Sequence, residues 1–375
     1  MSAPAPAAAP GRLDRLKLYY ERNERKIAVW SFVGGFVFDI LTLDRIDSWI
    51  TIAQQAAYLV VITAALLQMF FEEGAPQRDL ATTPAWKRTY FQYRTAIVHF
   101  LLGSLLSLYT LFFFKSSSLF VSFGFLAVLA VLLVINESER FKKLGLAFKF
   151  ALLSLCGLSF TAALVPIAVG SIGLLVFLLS MLVGCIPMAL LYRRVLIHAP
   201  ERVAQARRQM MIPFGVVLCV FLALYVVRVI PPVPLSIPFI GVYHGVERQG
   251  DRFVLSHERP FWRFWDNGDQ QFAAQPGDRV FVFFRVFSPT RFADQVLMRW
   301  YWKDAAGRWQ LHDSIPINIV GGRAQGFRGY GMKSNYQPGR WKLQVETTDE
   351  REIGRVYFEV EAAPQAAREF KQEVQ

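Results

Sequence analysis

Cysteine is scarce in this 375-residue chain: Cys156, Cys185 and Cys219 all lie inside apolar runs, with no Cys-x-x-Cys or Cys/His spacing. They read as small apolar packing residues, and neither a zinc site nor a disulfide framework is indicated. His244, His257 and His312 have no ligand spacing either. There is no Gly-x-Ser-x-Gly, no His-Glu-x-x-His, no Walker-type loop and no Gly-x-Gly-x-x-Gly, so the familiar hydrolase, zincin and nucleotide-binding signatures are missing. Charged residues make up only 19% of the chain, and a net charge of +12 has no single basic face to serve nucleic acid. The excess sits early. Residues 1–230 hold 22 Lys+Arg against 12 Asp+Glu, whereas 231–375 hold 19 against 17.

What the chain does have is apolar length. Hydrophobic residues are 54% of it and mean hydropathy is +0.30, too high for an ordinary soluble protein. Seven runs stand out: Ile27–Leu43, Ile52–Phe71, Thr95–Phe114, Ser118–Ile135, Leu144–Val165, Ile167–Tyr192 and Ile212–Ile230. Each approaches the ~20 residues that cross a bilayer core as a helix. A long polar lead, Asp39 inside the first run and no small-residue cleavage site argue against a secretory signal.

Basic loops alternate with non-basic ones. Arg12 to Lys26, then Arg78, Lys87, Arg88 and Arg94, then Arg140, Lys142 and Lys143, then Arg193, Arg194, Arg202, Arg207 and Arg208 share one side. The other side holds only Arg45 and Lys115, and a turn expected around Pro166 holds neither. Positive loops stay cytoplasmic, so the expectation is a cytoplasmic N-terminus and, after seven crossings, an outer C-terminal half. The short outer connections make runs three and four, and five and six, antiparallel neighbours.

One intramembrane polar group invites chemistry. Asp39, Asp44, Arg45 and Asp47 cluster at the outer end of the first run, and a charge that deep is costly unless paired or functional. The structural alternative is an ion-pair knot that fixes the first helical hairpin.

Four prolines between Pro231 and Pro238 then end helical structure. An extended, semi-rigid hinge is expected there, holding the C-terminal half at a fixed stand-off from the bilayer. From Phe239 to Glu361 apolar residues alternate with polar ones, as in Val296, Met298, Trp300, Trp302 and in Trp341, Leu343, Val345. Seven to nine short strands with Gly/Pro turns predict an immunoglobulin-like β-sandwich. The division is therefore 1–26 cytoplasmic segment, 27–230 seven-helix bundle, 231–238 hinge, 239–361 sandwich, and 362–375 a charged tail read as a loose helix. Trp341 belongs in the core by its alternation. Trp262 and Trp265, flanking Arg263 in the loop Pro260–Gly268, are the candidate binding surface together with Arg328.

The stretches Gly35–Asp47, Ile230–Leu235, Gly241–His244, Gly326–Tyr330 and Tyr336–Lys342 resemble a bacterial membrane family whose C-terminal domain is catalogued as domain of unknown function 2914. The resemblance implies a bacterial cytoplasmic membrane with a periplasmic β domain, and carries no activity. It also implies an Asp-Gly turn before the last strand, where this chain has Asp349-Glu350. The reading is a non-enzymatic membrane protein without a cofactor or metal, partnered by the lipid bilayer. Its outer domain recognises an envelope component, a glycan, lipid head group or protein. The alternative is a transporter or lipid-handling protein working through the Asp39 cluster.

Overall fold

The computed structural model describes residues 48–73, 84–116, 131, 145–231, 233–263, 265–289, 293–321 and 326–375. The first expected span, the fourth apart from Val131, and the Asp39, Asp44, Arg45 and Asp47 cluster lie outside the described residues. Among the described residues five helices are long and apolar enough to cross a membrane, and a β-sheet domain follows them. The helices are α1 (Trp49–Glu72), α2 (Ala85–Lys115), α3 (Leu146–Val169), α4 (Leu174–His198) and α5 (Ile212–Val226), the last prolonged backwards to Pro200 by short helical turns. They fall on five of the seven apolar runs.

The α3–α4 pair is antiparallel, as the run pattern implies, but its turn is not at Pro166. Helix α3 passes through Pro166 and stops at Gly170, whose φ of 81° is the left-handed end that glycine accepts without a steric penalty. Proline is tolerated inside such helices because neighbouring groups satisfy the freed carbonyl. Gly184 of α4 lets the pair close tightly: a Cβ there would stand 2.7 Å from a methyl of Leu158 and 2.9 Å from the Thr161 hydroxyl. At one end of the bundle Arg94 pairs with Glu72 at 2.6 Å, and Arg202 donates to the carbonyls of Phe70 and Glu73. Those bonds tie α1 to α2 and to the segment before α5.

The β domain has β1 (Ser236–Tyr243), β2 (Gly245–Gln249), β3 (Arg252–His257), β4 (Gln271–Ala274), β5 (Val280–Phe287) and β6 (Ala293–Lys303). It continues with β7 (Trp309–Val320), β8 (Phe327–Lys333), β9 (Gly339–Thr347), β10 (Glu352–Ala362) and β11 (Lys371–Val374). These form three sheets, ordered β1-β5-β8, β4-β10-β9-β6-β7 and β11-β3-β2. Val282, Phe284 and Val286 of β5 share a core with Met298, Trp300, Trp341, Leu343 and Phe358 of the five-stranded sheet. On its other face β5 buries Phe283 against Tyr243, Phe253 and Leu255. β5 is thus covered on both sides, and the third sheet adds a layer that a two-sheet sandwich lacks. Trp341 is fully buried and stacks on Phe358 with ring centroids 6.4 Å apart, as its alternation implies.

Two further expectations are corrected. The tail is not a helix. Lys371 to Val374 pair antiparallel with His257 to Val254 of β3, because an edge strand presents unpaired backbone groups that an extended segment satisfies. The proline-rich stretch is not an extended spacer either. Ile230 and Val233 pack into the helical core and Leu235 into the β core, so the domain sits directly on the helix ends. Backbone and side chain seal this junction: Ala293 N donates to Gly170 O at 3.2 Å, and Ile172 N to Asp294 Oδ2 at 3.1 Å. Arg351 joins Tyr225 and Ile230 at the end of α5 to Asp349.

Candidate binding groove

Strand pairing assembles one polar and aromatic face from residues far apart in sequence. Tyr301 of β6 lies opposite Lys342 of β9, and Lys342 opposite Tyr357 of β10. One step further along, Lys303 faces Trp309 of β7, and Arg340 faces Glu359. Side chains two residues apart share a face, so these residues all point away from the Trp300/Trp341 core. The Trp309 and Tyr357 rings stand 5.8 Å apart. Lys342 Nζ lies 4.2 Å from the Tyr301 ring centroid and 5.5 Å from that of Trp309, and Lys303 Nζ lies 5.8 Å from Trp309. Burial, then the nearby Arg355, lower the Lys342 pKa. The result is an open groove of about 510 Å³, walled by Lys303, Trp309, Arg340, Tyr357 and Arg263 among others.

Arg263 comes from the loop singled out in the sequence. Gly268, with φ 71°, bridges to Val242, Asp269 N donates to Val242 O at 2.7 Å, and Asn267 Nδ2 to Ile240 O at 3.2 Å. A Cβ on Gly268 would sit 1.9 Å from Val242 O, so only glycine fits. From that anchored base the loop presents Phe261 at 87% exposure, Trp262 at 50% and Trp265 at 63%. Trp262 and Trp265 have ring centroids 6.2 Å apart, and the Arg263 guanidinium lies 4.8 Å from the Trp262 ring. The structure therefore brings Trp262, Arg263 and Trp265 together beside the groove.

Arg328 is elsewhere. It donates to the Gln375 carbonyl at 3.2 Å, lies 5.7 Å from the Phe253 ring, and is largely buried beneath the third sheet. Lys333 and Arg299 are likewise engaged internally. Lys333 pairs with Asp313 beside Trp341, and Arg299 with Glu346 at 2.9 Å. Trp309, Tyr357, Lys303, Arg340 and Lys342 are visible in the sequence only as outward positions of alternating strands. Their convergence depends on which strands pair, and no local pattern states that.

A second cluster lies under the tail. The buried His244 ring stacks on Phe272 at 4.0 Å, with Nε2 3.4 Å from Glu258 and 3.6 Å from Asp269, and Nδ1 3.9 Å from Asp278. Arg368 of the tail closes it, 2.6 Å from Asp278 and 3.2 Å from Glu258. Burial, helped by Arg368, pushes His244 down to about 4. Burial also pushes the Asp269 carboxyl up to about 6, against two hydrogen bonds from the Glu258 amide. Among the described residues no group of three or more His, Cys, Asp or Glu is placed to hold a metal ion. The cluster is a clamp that fixes the tail to the domain.

The groove-bearing strands β6, β9 and most of β10 fall in a recognised segment. Residues 293–360 match the family of unknown function DUF2914. The DUF2914 segment thus supplies the five-stranded sheet's three central strands and its edge strand β7. No curated protein matches the chain. Among solved structures, a Pseudomonas fluorescens alkylpurine DNA glycosylase, AlkC, bound to DNA containing an abasic site analog, aligns at 12% identity and a TM-score of 0.22. That alignment covers 83% of this chain and 98% of the other, and at such a score it says nothing of fold or activity here.

Proposed function

We propose that this is a non-enzymatic integral membrane protein whose outer β domain recognises a component of the cell envelope. In this reading seven helices cross a bacterial cytoplasmic membrane, the N-terminus is cytoplasmic, and the β domain is an immunoglobulin-like sandwich elaborated by a third sheet. The observation that carries the reading is the position of the aromatic and basic groove. Strand β6 starts at Ala293, bonded to the α3–α4 turn, and ends at Lys303 in the groove. Ten strand steps at about 3.3 Å each put the groove roughly 33 Å from the helix ends. A rigid junction at one end and exposed tryptophans at the other suit a domain that reaches outward. The charge pattern agrees, since Arg193, Arg194, Arg202, Arg207 and Arg208 lie at the bundle end away from the β domain.

The test uses the full-length protein in lipid nanodiscs, with cell-wall glycan, lipid vesicles and periplasmic extract passed over it in turn. Saturable binding of one fraction, lost in Trp309→Ala, is expected. Binding that ignores Trp309→Ala and Trp265→Ala, but disappears in Asp39→Asn, would transfer the function to the helices and revive the transport reading.

A further inference from the structure

Resting on that recognition reading, we infer that the groove's ligand is a polyanionic polysaccharide, a chain of sugar rings bearing carboxylate or phosphate groups.

The groove's charges are not balanced from within. Arg340 has Glu359 at 3.8 Å. Lys303 and Arg263, which line the groove with it, make no ion pair among the described residues, and each lies instead over an aromatic ring. A cation held against a ring keeps its donors directed outward and remains available to an anion. Three cations, Arg263, Lys303 and Arg340, beside two carboxylates, Asp266 and Glu359, leave the groove positive. Lysine and arginine offer donors only, so the site is built for acceptors, and acidic groups are the strongest of these. The Trp309 and Tyr357 rings add the flat apolar surfaces against which a sugar ring lies. The groove is open to solvent rather than enclosed, which admits part of a longer polymer.

Lipid fits less well. A head group in the protein's own membrane would have to reach roughly 33 Å past the helix ends, by the strand rise used above. The walls also offer no deep apolar slot for an acyl chain. A folded protein partner would bury the Trp262–Trp265 loop but would have no particular need of the cations set on the rings behind it.

The experiment titrates oligogalacturonate, its fully methyl-esterified counterpart and phosphatidylglycerol vesicles against the full-length protein in uncharged nanodiscs. Oligogalacturonate is expected to bind saturably, with the ester at least about tenfold weaker, because charge-assisted bonds are lost. The double change Lys303→Gln with Arg263→Gln should weaken the acidic sugar by about tenfold and flatten its salt dependence, while leaving thermal unfolding in place. If the ester binds equally and Trp309→Ala abolishes both, the acidic class is wrong and the recognition reading stands. If vesicles displace the sugar, the anion belongs to a lipid head group and the inference falls. If no glycan binds while an envelope fraction still does so through Trp309, the inference falls alone. If nothing binds through Trp309, both fall.

Discussion

Arg351 decides whether the two halves behave as one body. Its guanidinium donates to Asp349 Oδ2 at 2.8 Å, to the Ile230 carbonyl at 3.2 Å and to the Tyr225 carbonyl at 2.9 Å. It also lies 3.4 Å from the Tyr225 ring centroid, and Arg351 is only 6% exposed. The two carbonyls lie at the C-terminal end of α5 and just beyond it, where intrahelical donors run out, and Tyr225 O also accepts from the Arg228 amide at 3.0 Å. Arg351→Met keeps the length of the side chain and removes every one of these bonds. The Ile230 carbonyl then loses its donor and the Asp349 carboxylate its counter-charge, while Tyr225 O keeps the Arg228 amide. Removing one partner of a buried pair costs about 3–5 kcal/mol. Tyr225 Oη, which donates to Asp349 at 3.1 Å, recovers part of that, so a loss of about 3 kcal/mol is expected. Arg351→Lys keeps the charge but not the fork and should lose about half as much.

The loss is local, because all three acceptors of Arg351 lie at the junction itself. Cleavage within 231–238 by a non-specific protease, followed on the full-length protein in nanodiscs, reads the junction directly. Expected is faster cleavage in the order wild type, Arg351→Lys, Arg351→Met, with both fragments staying folded. Arg299→Met, which breaks a pair inside the β domain, is the control and should not follow that order. Cleavage rates indistinguishable from wild type in Arg351→Met would refute the view that this residue couples the two halves.

Acid should act through His244 and Asp269 in opposite directions. His244 is pushed down to about 4, so stability falls as pH drops from its unfolded value near 6.5 toward about 4, where only the unfolded chain takes the proton. Asp269 is pushed up to about 6, so the stability it contributes at low pH is lost as pH rises through about 6. Wild type should therefore change little between about pH 4 and 6, whereas His244→Phe should gain stability on acidification by about 3 kcal/mol, measured by denaturant melts across pH. Glu350 sits at φ 62°, the left-handed turn position where Asp-Gly was expected, and pairs with Arg228 at 2.8 Å. Glu350→Gly should relieve about 1 kcal/mol of backbone strain against a weak surface pair, giving an unchanged or slightly raised melting temperature. Gly184→Val should separate α3 from α4 and lower the melting temperature, at a cost of about 1–3 kcal/mol, because its side chain would strike Leu158 and Thr161.

Where local chemistry decides structure, the sequence is readable. Run lengths locate five helices, alternation places Trp341 inside, and a loop position places Trp262 and Trp265 outside. Two of the departures at segment level share one cause. Backbone preference alone makes Pro166 and the prolines of 231–238 into breaks and spacers, but a helix in apolar surroundings tolerates proline. A proline-rich stretch bearing Ile230, Val233 and Leu235 has apolar surface to bury, and burial overrides extension. Charge alone makes the tail a loose helix. Its fate is set instead by an open strand edge and by Arg368, whose partners Glu258 and Asp278 lie about a hundred residues away.

The third layer shows how much more the same letters hold. Val280–Phe287 is apolar at nearly every position, FVFF in the middle, rather than at every second one. A strand with one face in solvent alternates, and a continuous run says that both faces are buried. A two-sheet sandwich supplies a cover for only one of them. The pattern therefore requires another layer, which β2, β3 and β11 provide over Phe283. The groove comes from the complementary rule. Tyr301, Lys303, Arg340, Lys342 and Tyr357 occupy the polar half of strict alternation, so the strands carrying them have one face left to solvent. That this open face carries rings under its cations, rather than ion pairs alone, is the feature on which the recognition proposal rests.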